Sequence, residues 1–187
     1  KMLKTFLKEV VTIIVGKQAE DIVDMLDGKK YVNEFLIAKK LGITINQTRN
    51  IIYKIADQGL ISSIRKKDKR KGWYIYFWTL NIEKSLELLE KIIKKEIENL
   101  QSQLKSRQNK RFYICKTCNI EVSEETALLS EFACKECGQV YDLAESEKII
   151  KELEIKIKKL MKKLELIKKE SAIIKQKEQK KRERKAA

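Results

Sequence analysis

Histidine and proline are both absent from the 187-residue chain, and each absence excludes something. Without imidazole there is no side chain that switches charge near neutrality, no Ser-His-Asp or Cys-His catalytic pair, and no mixed Cys/His metal site. Without proline, nothing forbids long uninterrupted helices. Aromatic residues are few, at 7%, which implies a modest core beneath a surface that is 37% charged residues. No apolar run approaches the ~20 residues that span a bilayer, and no signal-peptide pattern opens the chain. The expectation is a soluble, cytoplasmic protein with no membrane role, whose first residue, Lys1, suggests a trimmed start. Gly-rich phosphate loops and acidic metal constellations are missing too. An enzyme is therefore not expected.

What is present is enough to fold: 43% of residues are hydrophobic, so wholesale disorder is excluded. At roughly 150 residues per domain, the length allows one domain or two small ones. The net charge of +15 favours an anionic partner, nucleic acid or an acidic protein surface, although Lys enrichment also marks heat-adapted proteomes. The charge is concentrated. Residues 65–72 carry +5, residues 144–187 carry +8, and residues 109–143, which hold all four cysteines, carry −2.

The first half has the pattern of a winged helix. Ile22, Val23 and Leu26 mark one helix face before the Asp27-Gly28 turn. Asn33 is a plausible N-cap for a second helix, with Phe35, Leu36, Ala38 and Leu41 expected inward and Gly42 as its stop. A third helix over 44–58 places Ile45, Thr48, Ile51, Ile52 and Ile55 on one face, with Gly59 as cap. Two helices joined by a short Gly-containing turn form a helix-turn-helix. A β-branched run over 60–64, a basic loop and an aromatic run over 73–78 then predict a hairpin.

The presumed recognition helix has only Arg49 and Lys54 as cations, with Asn46, Gln47 and Asn50 as potential base readers. That is thin for sequence-specific major-groove reading. The wing is the better nucleic-acid candidate. Arg65, Lys66, Lys67, Lys69, Arg70 and Lys71 can neutralise phosphates, and Tyr74, Tyr76 and Trp78 share one strand face beside them. Cations next to aromatic rings suit single strands, whose bases stack while charge tracks the backbone. The alternative is a solvated hairpin tip with its rings packed under the next helix.

Cys115-x2-Cys118 and Cys134-x2-Cys137 have the spacing of a four-thiolate zinc site. Asn119 and Gly138, both tolerant of positive φ, follow the second cysteine of each pair. Strand-like 111–114 and 131–133 lead into the two pairs, as in a zinc ribbon. Two disulfides are the competing arrangement, disfavoured inside a cell, and four thiolates can also hold iron. Zinc is expected, one ion, and structural, because four protein ligands leave no open position.

Between these modules, Ile82, Leu86, Leu89, Ile93, Ile97, Leu100 and Leu104 mark a long amphipathic helix. After the ribbon, Ile150, Leu153, Ile157, Leu160, Leu164, Ile167, Ser171 and Ile174 follow heptad-like spacing. These helices can pair with each other, with a second copy, or with another protein's helix. The end from Lys175 to Ala187 is charged, lacks a stripe and is expected to fray. The domains are thus a winged helix at 1–81, a linker helix at 82–109, a ribbon at 110–143, and a charged coiled-coil-like helix and tail at 144–187. The fold class is mainly α with small β elements.

This order, with the basic wing leading into Gly72-Trp-Tyr-Ile-Tyr-Phe-Trp78, resembles archaeal transcription factor E. That family is the counterpart of the alpha subunit of eukaryotic general transcription factor IIE. The resemblance covers nearly the whole chain and implies a basal initiation factor. It implies association with RNA polymerase, at clamp and stalk, with TATA-box-binding protein and with transcription factor B. It also implies promoter melting and an open complex stabilised through the non-template strand, by a protein that is monomeric outside the complex. By position, the six wing cations with Trp73, Tyr74, Tyr76 and Trp78 would meet DNA or the clamp, and the four cysteines match the family's metal ligands. The rival readings are a dimeric winged-helix regulator on duplex operators and a zinc-ribbon protein adaptor.

Overall fold

The computed structural model describes residues 2–28, 31–69 and 72–186. The chain forms two compact units, Lys1–Ile92 with Glu165–Ala187, and Ile93–Leu164.

In the first unit, helices α1 (Met2–Val15), α2 (Glu20–Leu26), α3 (Glu34–Leu41) and α4 (Ile45–Asp57) surround a small sheet. The sheet has strands β1 (Val32–Asn33), β2 (Ile61–Lys67) and β3 (Tyr74–Leu80) in the order β1-β3-β2, all antiparallel. This is a winged helix with an additional leading helix. Sequence periodicity makes α2 the first helix, but α1 precedes it. This helix buries Phe6, Leu7, Val10 and Val11 at helical spacing, and its Lys4 and Lys8 both reach Asp24 of α2 at 2.9 Å.

Local chemistry sets the ends of these helices. Asn33 caps α3 by accepting the Phe35 N–H at 2.9 Å, and Gly42 ends it with φ +66°, a left-handed turn closed to most residues. Thr44 and Gln47 form a capping box on α4. The inward face of α4 is Thr48, Ile52 and Ile55, as expected. The inward face of α3 differs from expectation. Ile37 and Ala38 are buried, whereas Phe35 and Leu36 are 45% and 57% exposed. In so short a helix, the run Phe35-Leu36-Ile37-Ala38 has no periodicity that selects a face.

Helix α5 (Ile82–Asn109) is 28 residues long and runs from the first unit into the second. Its stripe Leu86, Leu89, Ile93, Ile97 and Leu100 is buried. The second unit holds a sheet in the order β5-β4-β6, with β4 (Phe112–Cys115), β5 (Ile120–Ser123) and β6 (Asp142–Leu143). A short helix α6 (Glu124–Leu129), for which the sequence carries no clear period, lies between the cysteine pairs. After it, Glu131 and Phe132 adopt left-handed φ values of 52° and 57°, so the expected strand lead-in is a turn. Phe132 N–H closes that turn on Ala127 C=O at 2.8 Å.

The last element, α7 (Ser146–Ala186), is a helix of 41 residues. It does not stop near Lys175. In the first unit, Lys175 Nζ lies 2.9 Å from Glu87 and 3.9 Å from Glu83, so α7 runs beside α5 there. The predicted stripe is the inward one: Ile157, Ile167 and Ser171 are buried. Among the described residues, no helix is long and apolar enough to cross a membrane.

Candidate metal centre and nucleic-acid interface

The ribbon brings its four thiols together. The Sγ atoms of Cys115, Cys118, Cys134 and Cys137 all lie within 4.8 Å of one another, and Cys115 Sγ is 3.5 Å from Cys137 Sγ. A disulfide needs a separation of about 2.05 Å. A tetrahedral site with metal–sulfur bonds of about 2.3 Å requires sulfurs about 3.8 Å apart, so this donor set fits such an ion. Each pair sits in a turn closed by backbone hydrogen bonds. Asn119 N–H donates to Cys115 C=O at 2.7 Å, and Gly138 N–H to Cys134 C=O at 2.8 Å. Asn119 and Gly138 have φ of 55° and 73°, as their residue types predict.

The thiols are not equivalent. Backbone N–H groups of Glu136 and Cys137 aimed at Cys134 bring its thiol down to about 6, toward the thiolate that binds metal. Hydrogen bonding with Cys137 pushes Cys118 up to about 12. Cys115 and Cys134 are buried, Cys118 is half-buried and Cys137 is exposed. Around them the ribbon core is small, essentially Ala127 and Tyr141, with Tyr113, Val122 and Phe132 partly buried. The Tyr113 and Phe132 rings meet edge-on with centroids 5.0 Å apart. Arg107 of α5 adds a clamp. Its guanidinium pairs with both carboxylate oxygens of Glu121 on β5 and stacks over the Phe112 ring at 4.1 Å. The same pair raises the Arg107 pKa and lowers that of Glu121.

The wing is the β2–β3 hairpin. Its register pairs Ser63 with Trp78, Arg65 with Tyr76 and Lys67 with Tyr74. Directly opposed residues share a face, so Arg65 and Lys67 lie with the three rings, while Lys66 lies on the other face. The Arg65 guanidinium sits 4.8 Å over the Tyr74 ring, and Lys66 Nζ 5.4 Å over Phe77. At the tip, Asp68 N–H donates to Trp73 C=O (2.8 Å) and Gly72 N–H to Asp68 C=O (3.0 Å), with Gly72 at φ +74°. Arg65, Lys66, Lys67, Lys69, Trp73 and Tyr74 are exposed, and Tyr76 is half-buried. Arg70 and Lys71 lie outside the described residues.

Trp78 departs from the expectation of a surface contact. It is 4% exposed, with Tyr53 of α4 at 6.0 Å and Tyr76 at 6.4 Å, and its indole N–H has no hydrogen-bond partner among the described residues. Strand alternation places it on the ring face beside Tyr76, but α4 covers that end through Tyr53, so Trp78 is closed to a surface contact. Tyr53, 43% exposed, extends the aromatic row and is not among the residues that sequence reasoning selects. Its only signal is its place one turn beyond Arg49 in α4.

One potential base reader, Gln47, and one of the two helix cations, Arg49, are committed elsewhere. Gln47 Oε1 accepts the Thr44 N–H at 3.0 Å. Arg49 donates through Nε (3.1 Å) and Nη2 (2.6 Å) to Glu34, whose side chain is fully buried. That pair raises the Arg49 pKa. Lys54, Asn46 and Asn50 remain exposed on α4.

A winged helix, a long helix and a four-cysteine ribbon follow one another along the chain, a modular architecture. Residues 5–110 match the family model for the TFIIE alpha subunit. Transcription factor E of Metallosphaera sedula is 32% identical over 155 residues, 82% of this chain and 88% of its own. That of Methanocaldococcus jannaschii is 33% identical over 144 residues, 77% and 83% of the two chains. Transcription factor E of Archaeoglobus fulgidus is 27% identical over 170 residues, 89% and 96%. One solved structure, a "possible transcriptional regulator from Methanosarcina mazei Go1", covers 52% of this chain and 85% of its own with TM-score 0.44 and 13% identity, too slight a likeness to bear on function. The chain belongs to the transcription factor E family, the family of the TFIIE alpha subunit. Its role is that of a general transcription initiation factor working with the RNA polymerase preinitiation machinery.

Proposed function

We propose that this protein joins the preinitiation complex formed by RNA polymerase, TATA-box-binding protein and transcription factor B, contacts clamp and stalk, and stabilises the melted promoter through the non-template strand. The observation that carries this reading is the wing. Exposed cations Arg65, Lys66, Lys67 and Lys69 stand beside exposed Tyr74 and Trp73, with Tyr76 partly open, a combination that suits stacked bases and a tracked backbone. The commitment of Arg49 and Gln47 to the protein's own structure further weakens duplex reading by α4. The four cysteines hold one zinc ion as a structural centre, with no position left for a reacting water. The burial of Ile167 and Ser171 within one chain favours a monomer over a dimer zipped through α7.

A gel-shift titration on pre-melted promoter bubble and matched duplex, with and without archaeal polymerase, TATA-box-binding protein and transcription factor B, tests the proposal. A supershift that needs the polymerase and prefers the bubble is expected. Tight, sequence-selective duplex binding by the protein alone would overturn it in favour of a regulator. Replacing Arg65, Lys66, Lys67 and Lys69 by Gln is expected to weaken open-complex stimulation several-fold. Its salt slope should flatten by roughly 0.7 for each single-strand phosphate no longer neutralised. Full activity in that variant would move the DNA-binding surface away from the wing.

A further inference from the structure

The inward stripe of α7 is accounted for by burial; its outward face is not. Within the second unit, at 3.6 residues per turn, Lys148, Lys151, Ile155, Lys158, Lys159 and Lys162 fall within an arc of about 100° opposite Leu153, Ile157 and Leu160. All six are exposed. Glu147, Glu152 and Glu154 lie to either side of the arc and not within it. Among the described residues, none of the five lysines has an ion pair or hydrogen bond, although Lys148–Glu152 and Glu154–Lys158 have the spacing for one. Solvated helix faces usually intersperse both signs. Here the signs are separated.

From this separation we infer that the outward face of α7 between Lys148 and Lys162 is a sequence-independent surface for the phosphates of a DNA duplex. It is distinct from the wing and stands whether or not the wing binds DNA. The choice of occupant follows from what the face contains. No aromatic residue occurs after Tyr141, so α7 has no ring on which unpaired bases could stack, and a single strand is disfavoured. A membrane-surface helix turns its broad apolar face outward with Trp, Phe or Leu. This helix turns that face inward, with Ile157 buried, and exposes only Ile155 within the arc. Protein interfaces are depleted of Lys at their centre and anchored by aromatics and Arg; the arc has neither. Lysine acts as a flexible point charge, which suits a backbone read without regard to sequence. From Lys148 to Lys162 the helix rises about 21 Å, the length of roughly six base pairs.

The test is full-length protein with Lys148, Lys151, Lys158, Lys159 and Lys162 all replaced by Gln, titrated by fluorescence anisotropy against a mixed-sequence DNA duplex across a salt series. Duplex affinity at low salt is expected to fall about tenfold or more. The slope of log K against log salt should flatten by up to about 4.5, close to 0.9 for each phosphate no longer neutralised. Unchanged helix content by circular dichroism and unchanged single-strand binding establish that the variant is folded. The Lys→Arg version of the five should retain both affinity and slope. Unchanged duplex affinity and slope in the Gln variant would overturn the inference. So would an equal loss of single-strand binding, or wild-type binding to polyglutamate or phosphatidylserine vesicles as tight as to the duplex. The wing variant described above, which should keep this duplex binding, separates failure here from failure of the proposed function.

Discussion

Chelation of the metal is expected to unfold residues 110–143 while the melting of the winged helix stays where it was. The ribbon has little else to hold it. Two of the four residues in its buried cluster, Cys115 and Cys134, belong to the candidate metal site, leaving Ala127 and Tyr141 with a few half-buried neighbours. Its strands are of two to four residues. Structural zinc typically contributes on the order of 10 kcal/mol to small domains of this kind, more than such a core supplies. The Arg107–Glu121 clamp tethers β5 to α5 but cannot replace the centre, because a partly exposed pair contributes roughly 1 kcal/mol. Amide spectra recorded before and after addition of a strong chelator would show ribbon resonances collapsing while those of 2–81 persist. Cys115→Ser should behave as the chelated protein does. A ribbon that remains folded with the metal stripped would refute the structural assignment.

Arg49→Ala is expected to lower the stability of the winged helix by about 3–5 kcal/mol, the usual cost of breaking a buried pair from one side. The two halves of the Glu34–Arg49 pair are not equivalent. The Glu34 side chain is 0% exposed and the Arg49 side chain 34%, so Arg49 has a route to water when its partner goes and Glu34 has none. Glu34→Gln should therefore cost less, about 1–2 kcal/mol. Replacing both by Met should recover most of the loss, since an apolar pair of similar volume removes the need to desolvate charge. Denaturant titration of the three variants tests the ranking. Arg49→Ala within about 1 kcal/mol of wild type would show that the carboxylate finds another partner.

The same pair shows how tertiary context reassigns a residue. In the sequence, Arg49 is a cation on a recognition helix and Glu34 an ordinary first-turn acid. They are fifteen positions apart, and only the packing of α3 against α4 brings them together. Trp78 is a similar case. Period-two alternation puts it on a face with Tyr74 and Tyr76, but alternation carries no information about what covers a face, and here Tyr53 does. The helix α1 is hard to read although Phe6, Leu7, Val10 and Val11 recur at helical spacing, because the β-branched run over 10–15 obscures the period.

Short-range chemistry encodes the features that can be read directly from the residues. These include the caps at Asn33, Gly42 and Thr44, the hairpin around its basic tip, the inward stripes of α5 and α7, and the turns after each cysteine pair. Each depends on residues within a few positions of one another, so propensity, periodicity and positive-φ tolerance suffice. Folding in three dimensions was needed to settle which cations remain available, which rings reach the surface, and which helix α7 lies against. Those outcomes depend on contacts between residues distant in sequence, where burial and pairing, not local preference, set the energy.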